Sequence, residues 1–208
     1  MAKVSLDFII LGAQKAATSA LQHALRKHPA VHMPKGESPF FEDPDYKDKA
    51  WINFGQEAKH KTLLGIKRPD NFCTESLINR ISVALPEAKF VVVLREPVSR
   101  AVACYLYFVR HAHLPALPLN ERMEACLRDF ELNTHSRAAE VIRYGLYGRH
   151  LLKWRESYPA ERFLILSQEQ VVSAPADVLH ALAQHLDLDP KPFFQTELKE
   201  EIGQANVG

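Results

Sequence analysis

The chain is poor in the features that mark several large classes of protein. It has three cysteines in 208 residues, Cys73, Cys104 and Cys126, far apart and with no C-x-x-C pair. That pattern disfavours a disulfide framework and a structural zinc site. Long apolar runs are missing too. The N-terminal one, Phe8 to Leu11, is far too short for a membrane span or the core of a signal peptide. Charge of one sign is not in excess: the formal net charge is +1, so overall electrostatics does not mark a nucleic-acid binder. No internal repeat or low-complexity tract is present. These absences lead us to expect a reducing, cytoplasmic setting, with no nucleic-acid partner and no membrane span.

What remains is an ordinary globular composition, 47% hydrophobic and 25% charged. Its length suits one domain over residues 1–208. Apolar strands are expected at about Asp7–Leu11, Thr62–Lys67, Lys89–Leu94 and Arg162–Leu166, with a short apolar piece at Val31–Met33. Phe90-Val-Val-Val-Leu94 is continuously apolar and β-branched, as in a strand buried on both faces. Helices are expected at Thr18–Lys27, Asp70–Pro86, Pro97–Arg110, Leu119–Phe130, His150–Ser157 and Pro175–Leu186. Alternating strands and helices predict an α/β fold, a parallel central sheet flanked by helices. Ligands in such sheets bind at the carboxyl ends of the strands.

The first of those ends carries the most information. Gly12-Ala-Gln-Lys-Ala-Ala-Thr-Ser19 joins a buried strand to a helix whose first amides lack intrahelical partners. Lys15 adds a full positive charge. The loop is not a Walker A motif, which places Lys directly before Ser or Thr. The strand Lys89–Leu94 is followed by Arg95 and not by a metal-holding Asp. Taken alone the loop is equally an ordinary βα turn with a solvated lysine. Arg95-Glu-Pro-Val-Ser-Arg100 offers guanidinium groups for a second phosphate. Lys35-Gly-Glu-Ser-Pro-Phe-Phe41 puts a carboxylate in a nearby loop. Two cationic anion sites beside a carboxylate fit a nucleotide phosphorylated at two positions, with a base for an acceptor.

These segments resemble the sulfotransferases that use 3′-phosphoadenosine 5′-phosphosulfate (PAPS), and most of all the branch holding heparan sulfate sulfotransferases and their bacterial relatives. The resemblance spans about Phe8 to Leu188. It rests on Gln14-Lys-Ala-Ala-Thr-Ser-Ala-Leu21, Lys35–Phe41, Gly65-Ile-Lys-Arg-Pro69, Val92-Val-Leu-Arg-Glu-Pro-Val-Ser-Arg100 and Gly145-Leu-Tyr-x-x-x-Leu-x-x-Trp154, in that order. It implies a P-loop-like sulfotransferase fold and transfer of a sulfuryl group from PAPS to a hydroxyl or amine of a carbohydrate or small molecule, without metal. It implies that Lys15 contacts the 5′-phosphosulfate, with Ala16, Ala17, Thr18 and Ser19 completing the cradle. Arg95 would hold the 3′-phosphate, Glu37 would be the catalytic base and Lys67 would orient the acceptor.

Departures from the family pattern accompany the resemblance. Ala17 stands where the family usually has Gly, at a position where a methyl group restricts positive φ. Ala103 replaces a serine that binds the 3′-phosphate, and Ser99 is expected to substitute for it. The family also continues past the position of Gly208 with a basic loop and a final helix, so a C-terminal segment is expected to be missing. Arg100 is expected to form ion pairs, Tyr105, Tyr107 and Phe108 to be core or pocket wall, and His111 and His113 to be solvated. The segments Pro34–Asp48 and His111–Arg122 would shape an acceptor cleft suited to a small or lightly charged acceptor. The rival readings are a small-molecule P-loop kinase using Mg²⁺ and ATP, and a nucleotide-binding relative without catalysis.

Overall fold

A computed structural model describes residues 6–42, 58 and 63–194. Five parallel strands form one sheet: β1 (Phe8–Gly12), β2 (Val31–His32), β3 (Leu63–Lys67), β4 (Lys89–Leu94) and β5 (Phe163–Ser167), in the order β2-β3-β1-β4-β5. Register pairs Ile10 with Lys67 and Gly12 with Val92, so the carboxyl ends of β3, β1 and β4 share one rim. The α/β class and parallel sheet expected from the sequence are both present. So is the adjacency that brings the Lys15, Lys67 and Arg95 regions together.

The described helices include α1 (Thr18–Lys27), α2 (Glu75–Ala84), α3 (Pro97–Arg110), α4 (Leu119–Glu131), α5 (Arg137–Arg143), α6 (Tyr147–Arg155), α7 (Gln168–Ser173) and α8 (Pro175–His185). β1 and the centre of β4 are fully buried, because helices cover both faces there. Leu21, Ala24 and Leu25 of α1 and Leu179 and Leu182 of α8 join that core. Phe90 is ringed by Trp154, Tyr158 and Phe163. Trp154 also donates to the Phe72 carbonyl (3.1 Å) and the Tyr158 hydroxyl to the Leu85 carbonyl (2.9 Å), so both rings are buried with their polar atoms satisfied. A second apolar cluster joins α3, α4 and α5 through Cys104, Tyr105, Phe108, Cys126 and Val141.

Three expectations need correction. β5 is not buried on both faces: it is the sheet edge, and Ile165 is 48% exposed. The helix expected from Asp70 begins five residues later, because Pro69–Cys73 forms a 3₁₀ turn and the Thr74 hydroxyl donates to the Asp70 carbonyl (2.8 Å). Arg100 forms no ion pair with a described residue. It is fully buried and donates to the Val141 carbonyl at the end of α5. The expectations for Asp43–Asp48 and for Glu201–Gly208 lie outside the described residues. Among the described residues, no helix is long and apolar enough to cross a membrane.

Candidate functional site

The rim of the sheet opens into a cleft of about 630 Å³. The loop after β1 forms its floor. Ala13 N–H donates to the Val93 carbonyl (2.7 Å) and Arg68 N–H to the Ile10 carbonyl (3.1 Å), tying the loop's start to both neighbouring strands. Two residues then adopt left-handed backbone, Lys15 at φ 66° and Ala17 at φ 69°. Only such a turn lets the chain reverse into α1 within a few residues. The position where the family has Gly therefore does require positive φ, and Ala17 adopts it with a methyl group in place.

Two helix N-termini meet the rim, and they differ in a way that decides which one is open to an anion. α1 begins at Ala17 with no side-chain cap and no acid in its first turn. α3 begins under Glu96, whose carboxylate accepts from Val98 N–H (2.8 Å) and Ser99 N–H (2.7 Å). These bonds hold the Glu96 carboxyl below the usual carboxylate range. The amides at the start of α3 are thus occupied by a resident carboxylate, whereas those of α1 are not. Ser99 is exposed on that occupied turn, and the structure places it outside the residues that line the cleft. Ala103, one turn along α3, does line the cleft.

The other expected residues come together. Lys15, Ala17, Thr18, Ser19, Glu37 and Arg95 all line the cleft, and Ala16 is buried directly beneath. Arg95 donates to the Lys15 carbonyl (3.2 Å), and its own carbonyl accepts from the Tyr147 hydroxyl (2.9 Å). The Lys15 ammonium sits 4.4 Å from the centre of the Tyr107 ring. Burial holds its pKa below the ordinary lysine value, and Lys67 and Arg95 push the same way against Cys104 and Glu37. Lys67 is buried at the end of β3. Its ammonium donates to Ser19 Oγ (2.9 Å) and lies 3.2 Å from Glu37 Oε1. One lysine therefore joins the anion loop to the carboxylate.

Glu37 sits on a loop that α1 holds in place. Gln22 donates through one amide nitrogen to the Pro34 (3.0 Å) and Gly36 (2.9 Å) carbonyls, Arg26 donates to the Met33 carbonyl, and Ser38 N–H bonds the Lys67 carbonyl. Arg68, given no role by the sequence reading, binds Glu37 Oε2 at 3.0 Å and also Glu42 and Asp70. Gln14 links Asp70 (3.3 Å) to the Cys104 thiol (3.0 Å). Burial pushes that thiol up to about 11, and it keeps the proton it donates. Burial likewise raises the Asp70 carboxyl, with Arg68 opposing. Gln22 was legible as a polar residue set among Leu21, Ala24 and Leu25 on the apolar side of α1. Gln14 and Asp70 carried no comparable signal. Tyr107 is pocket wall, as expected, and Tyr105 is core. Among the described residues, no group of three His, Cys, Asp or Glu side chains is arranged to hold a metal ion.

The sulfotransferase family profile matches residues 43–192. This chain belongs to the sulfotransferase family. The mouse heparan sulfate glucosamine 3-O-sulfotransferase 3B1 is 34% identical over 184 residues, covering 86% of this chain and 45% of that protein. The human heparan sulfate glucosamine 3-O-sulfotransferase 6 is 32% identical over the same share of this chain and 52% of its own length. This sulfotransferase-family chain thus spans about half the length of the curated relatives it matches. In fold it is similar to a sulfotransferase from Alicyclobacillus acidocaldarius, with TM-score 0.79, 20% identity, and 97% and 91% of the two chains covered. It also matches a mouse sulfotransferase, SULT7A1, complexed with PAP, with TM-score 0.56, 16% identity, and 97% and 64% covered. These structural matches carry the expected P-loop-like sulfotransferase fold.

Proposed function

We propose that residues 1–208 act as one domain that transfers a sulfuryl group from PAPS to a hydroxyl or amine of a carbohydrate or small-molecule acceptor. The observation that carries this reading is the Lys67 bridge: it seats a carboxylate, Glu37, directly beside an uncapped helix N-terminus bearing Lys15 and flanked by Arg95. An anion-transfer site needs those parts within one cleft. Relatives with heparan sulfate in their names support a carbohydrate acceptor. The structural neighbour complexed with PAP supports the donor class. Three unpaired cysteines fit a reducing, cytoplasmic setting.

The chemistry follows from the residues. Acceptor oxygen or nitrogen attacks sulfur as the bond from sulfur to the 5′-phosphate oxygen breaks, and the acceptor's proton passes to Glu37. Negative charge grows on the departing phosphate, where Lys15 and the α1 amides stabilise it more in the transition state than in the ground state. Arg95 holds the 3′-phosphate. Lys67 keeps the Glu37 carboxylate and the Ser19 hydroxyl in one frame. A positioned carboxylate base contributes about 10²–10⁴-fold. Near that base, Lys67 and Arg68 face three carboxylates, Glu37, Glu42 and Asp70. With two cations set against three carboxylates, that wall has no positive charge to spare for an anionic acceptor and suits one of low charge at the reacting group.

The test is release of adenosine 3′,5′-bisphosphate from PAPS across a panel of sugar, phenol, alcohol and amine acceptors. Acceptor-dependent turnover lost in Glu37→Ala supports the reading. Donor binding with no transfer to any acceptor, and no effect of Glu37→Ala, would assign the chain to a nucleotide-binding relative without catalysis.

A further inference from the structure

We propose that Arg68 is the positioning residue for the Glu37 carboxylate. This rests on the reading of Glu37 as the base. Glu37 stands on a loop at the cleft edge with its side chain 39% exposed. A glutamate in that position is free to turn about its side-chain torsions, and a base whose lone pair wanders loses most of its advantage. Two cations remove that freedom, one at each carboxylate oxygen. Lys67 takes Oε1 at 3.2 Å and Arg68 Nη1 takes Oε2 at 3.0 Å.

The two cations are not equivalent. An ammonium is a point charge with rotatable donors, whereas a guanidinium is a planar fork. Here the fork itself is clamped. Glu42 accepts from Arg68 Nε (2.5 Å) and Nη2 (2.7 Å) in a bidentate pair, and Asp70 lies 3.2 Å from Nη2. The backbone of Arg68 is pinned to Ile10 of β1. With Nε and Nη2 occupied, the plane is set and Nη1 is aimed at Glu37. Glu42 therefore acts through Arg68, which acts through Glu37. A lone exposed ion pair is worth about 0–1 kcal/mol. This one is a braced network between two segments, residues 37–42 and 67–70, and its product is orientation.

The experiment is steady-state kinetics of the full chain with PAPS, for wild type, Arg68→Lys, Arg68→Met, Glu37→Gln and the Glu37→Gln/Arg68→Met double variant, with calorimetric binding of adenosine 3′,5′-bisphosphate to each. Arg68→Met is expected to lower kcat by up to about 10²-fold while acceptor KM and nucleotide affinity stay near wild type. Arg68→Lys, which keeps the charge and loses the fork, is expected to recover part of kcat. In the Glu37→Gln background, Arg68→Met is expected to add no further loss. An additive loss in that background, or wild-type kcat in Arg68→Met with Glu37→Gln impaired, overturns the role of Arg68 and leaves Glu37 as the base. Wild-type turnover in Glu37→Gln overturns both. Where Arg68→Met fails to fold, wild-type kcat in Arg68→Lys overturns the role of the fork.

Discussion

The Lys15 ammonium rests 4.4 Å from the centre of the Tyr107 ring, a cation–π contact at the wall of the cleft. Its partial burial lowers the lysine pKa below its ordinary value of 10.5. A lowered pKa means the proton is lost earlier as pH rises, so the Lys15 charge proposed to bind donor is lost in a window below 10.5. Affinity for adenosine 3′,5′-bisphosphate is expected to fall through that window, as measured by calorimetry from pH 7 to 10. Lys15→Arg stays protonated throughout, its reference pKa being about 12.5 or higher, and should flatten the alkaline fall. Lys15→Ala should cost about 10²–10³ in kcat, the scale for losing one preorganised donor.

Gln22 holds the Glu37 loop from α1, with both bonds falling on backbone carbonyls of Pro34 and Gly36. Gln22→Leu removes both bonds while keeping bulk. At about 1 kcal/mol for a typical hydrogen bond, the loop loosens without unfolding the sheet. The expected outcome is reduced kcat with little change in nucleotide affinity, because Lys15 and Arg95 do not depend on that loop.

Ala17 adopts φ 69°, a conformation that strains any residue with a Cβ. Ala17→Gly should stabilise the protein by about 0.5–1 kcal/mol. For a chain of this size that is about 2–4 °C in Tm per kcal/mol. Thermal melting checks it, and nucleotide affinity should hold or improve. A lower Tm would mean that the backbone entropy of glycine outweighs the strain.

Gly65 packs directly beneath the fully buried Phe8 ring, and a Cβ added there collides with it. Neither strand can shift without breaking the β1–β3 ladder. Gly65→Ala should cost about 1–3 kcal/mol, the usual range for overpacking. Phe8→Leu combined with Gly65→Ala should recover part of the loss in Tm, since the smaller side chain leaves room.

Much of this was legible because local and tertiary signals agreed. β4 announced itself by five continuous apolar residues, and α3 by Pro97 at its first turn. Both lie where expected. α5 and α7 were missed. Seven- and six-residue helices carry too little periodicity, although the Ser167 and Gln170 capping box was a usable sign of α7. The edge position of β5 could not be read, because Arg162–Leu166 is as apolar as a central strand and only the sheet order distinguishes them. In the site, Lys15, Glu37, Lys67 and Arg95 each follow a recognisable segment, and the sheet brings them together. Ser99 stands at a helix start as expected, and what the sequence did not reveal is that Glu96 accepts from its amide. Arg68 was passed over because two of its three carboxylate partners, Glu37 and Glu42, stand 31 and 26 residues away on another loop, and no spacing in the sequence encodes that contact.

Lys15 and Arg95 are proposed to neutralise one anion site at an uncapped helix start. Calorimetric titration of the full chain with adenosine 3′,5′-bisphosphate, in chelator and without added metal, tests it most directly. Tight one-to-one binding, reduced at least tenfold in both Lys15→Ala and Arg95→Ala, is the predicted result. The absence of binding, or binding that needs Mg²⁺ and prefers ATP, would contradict the account.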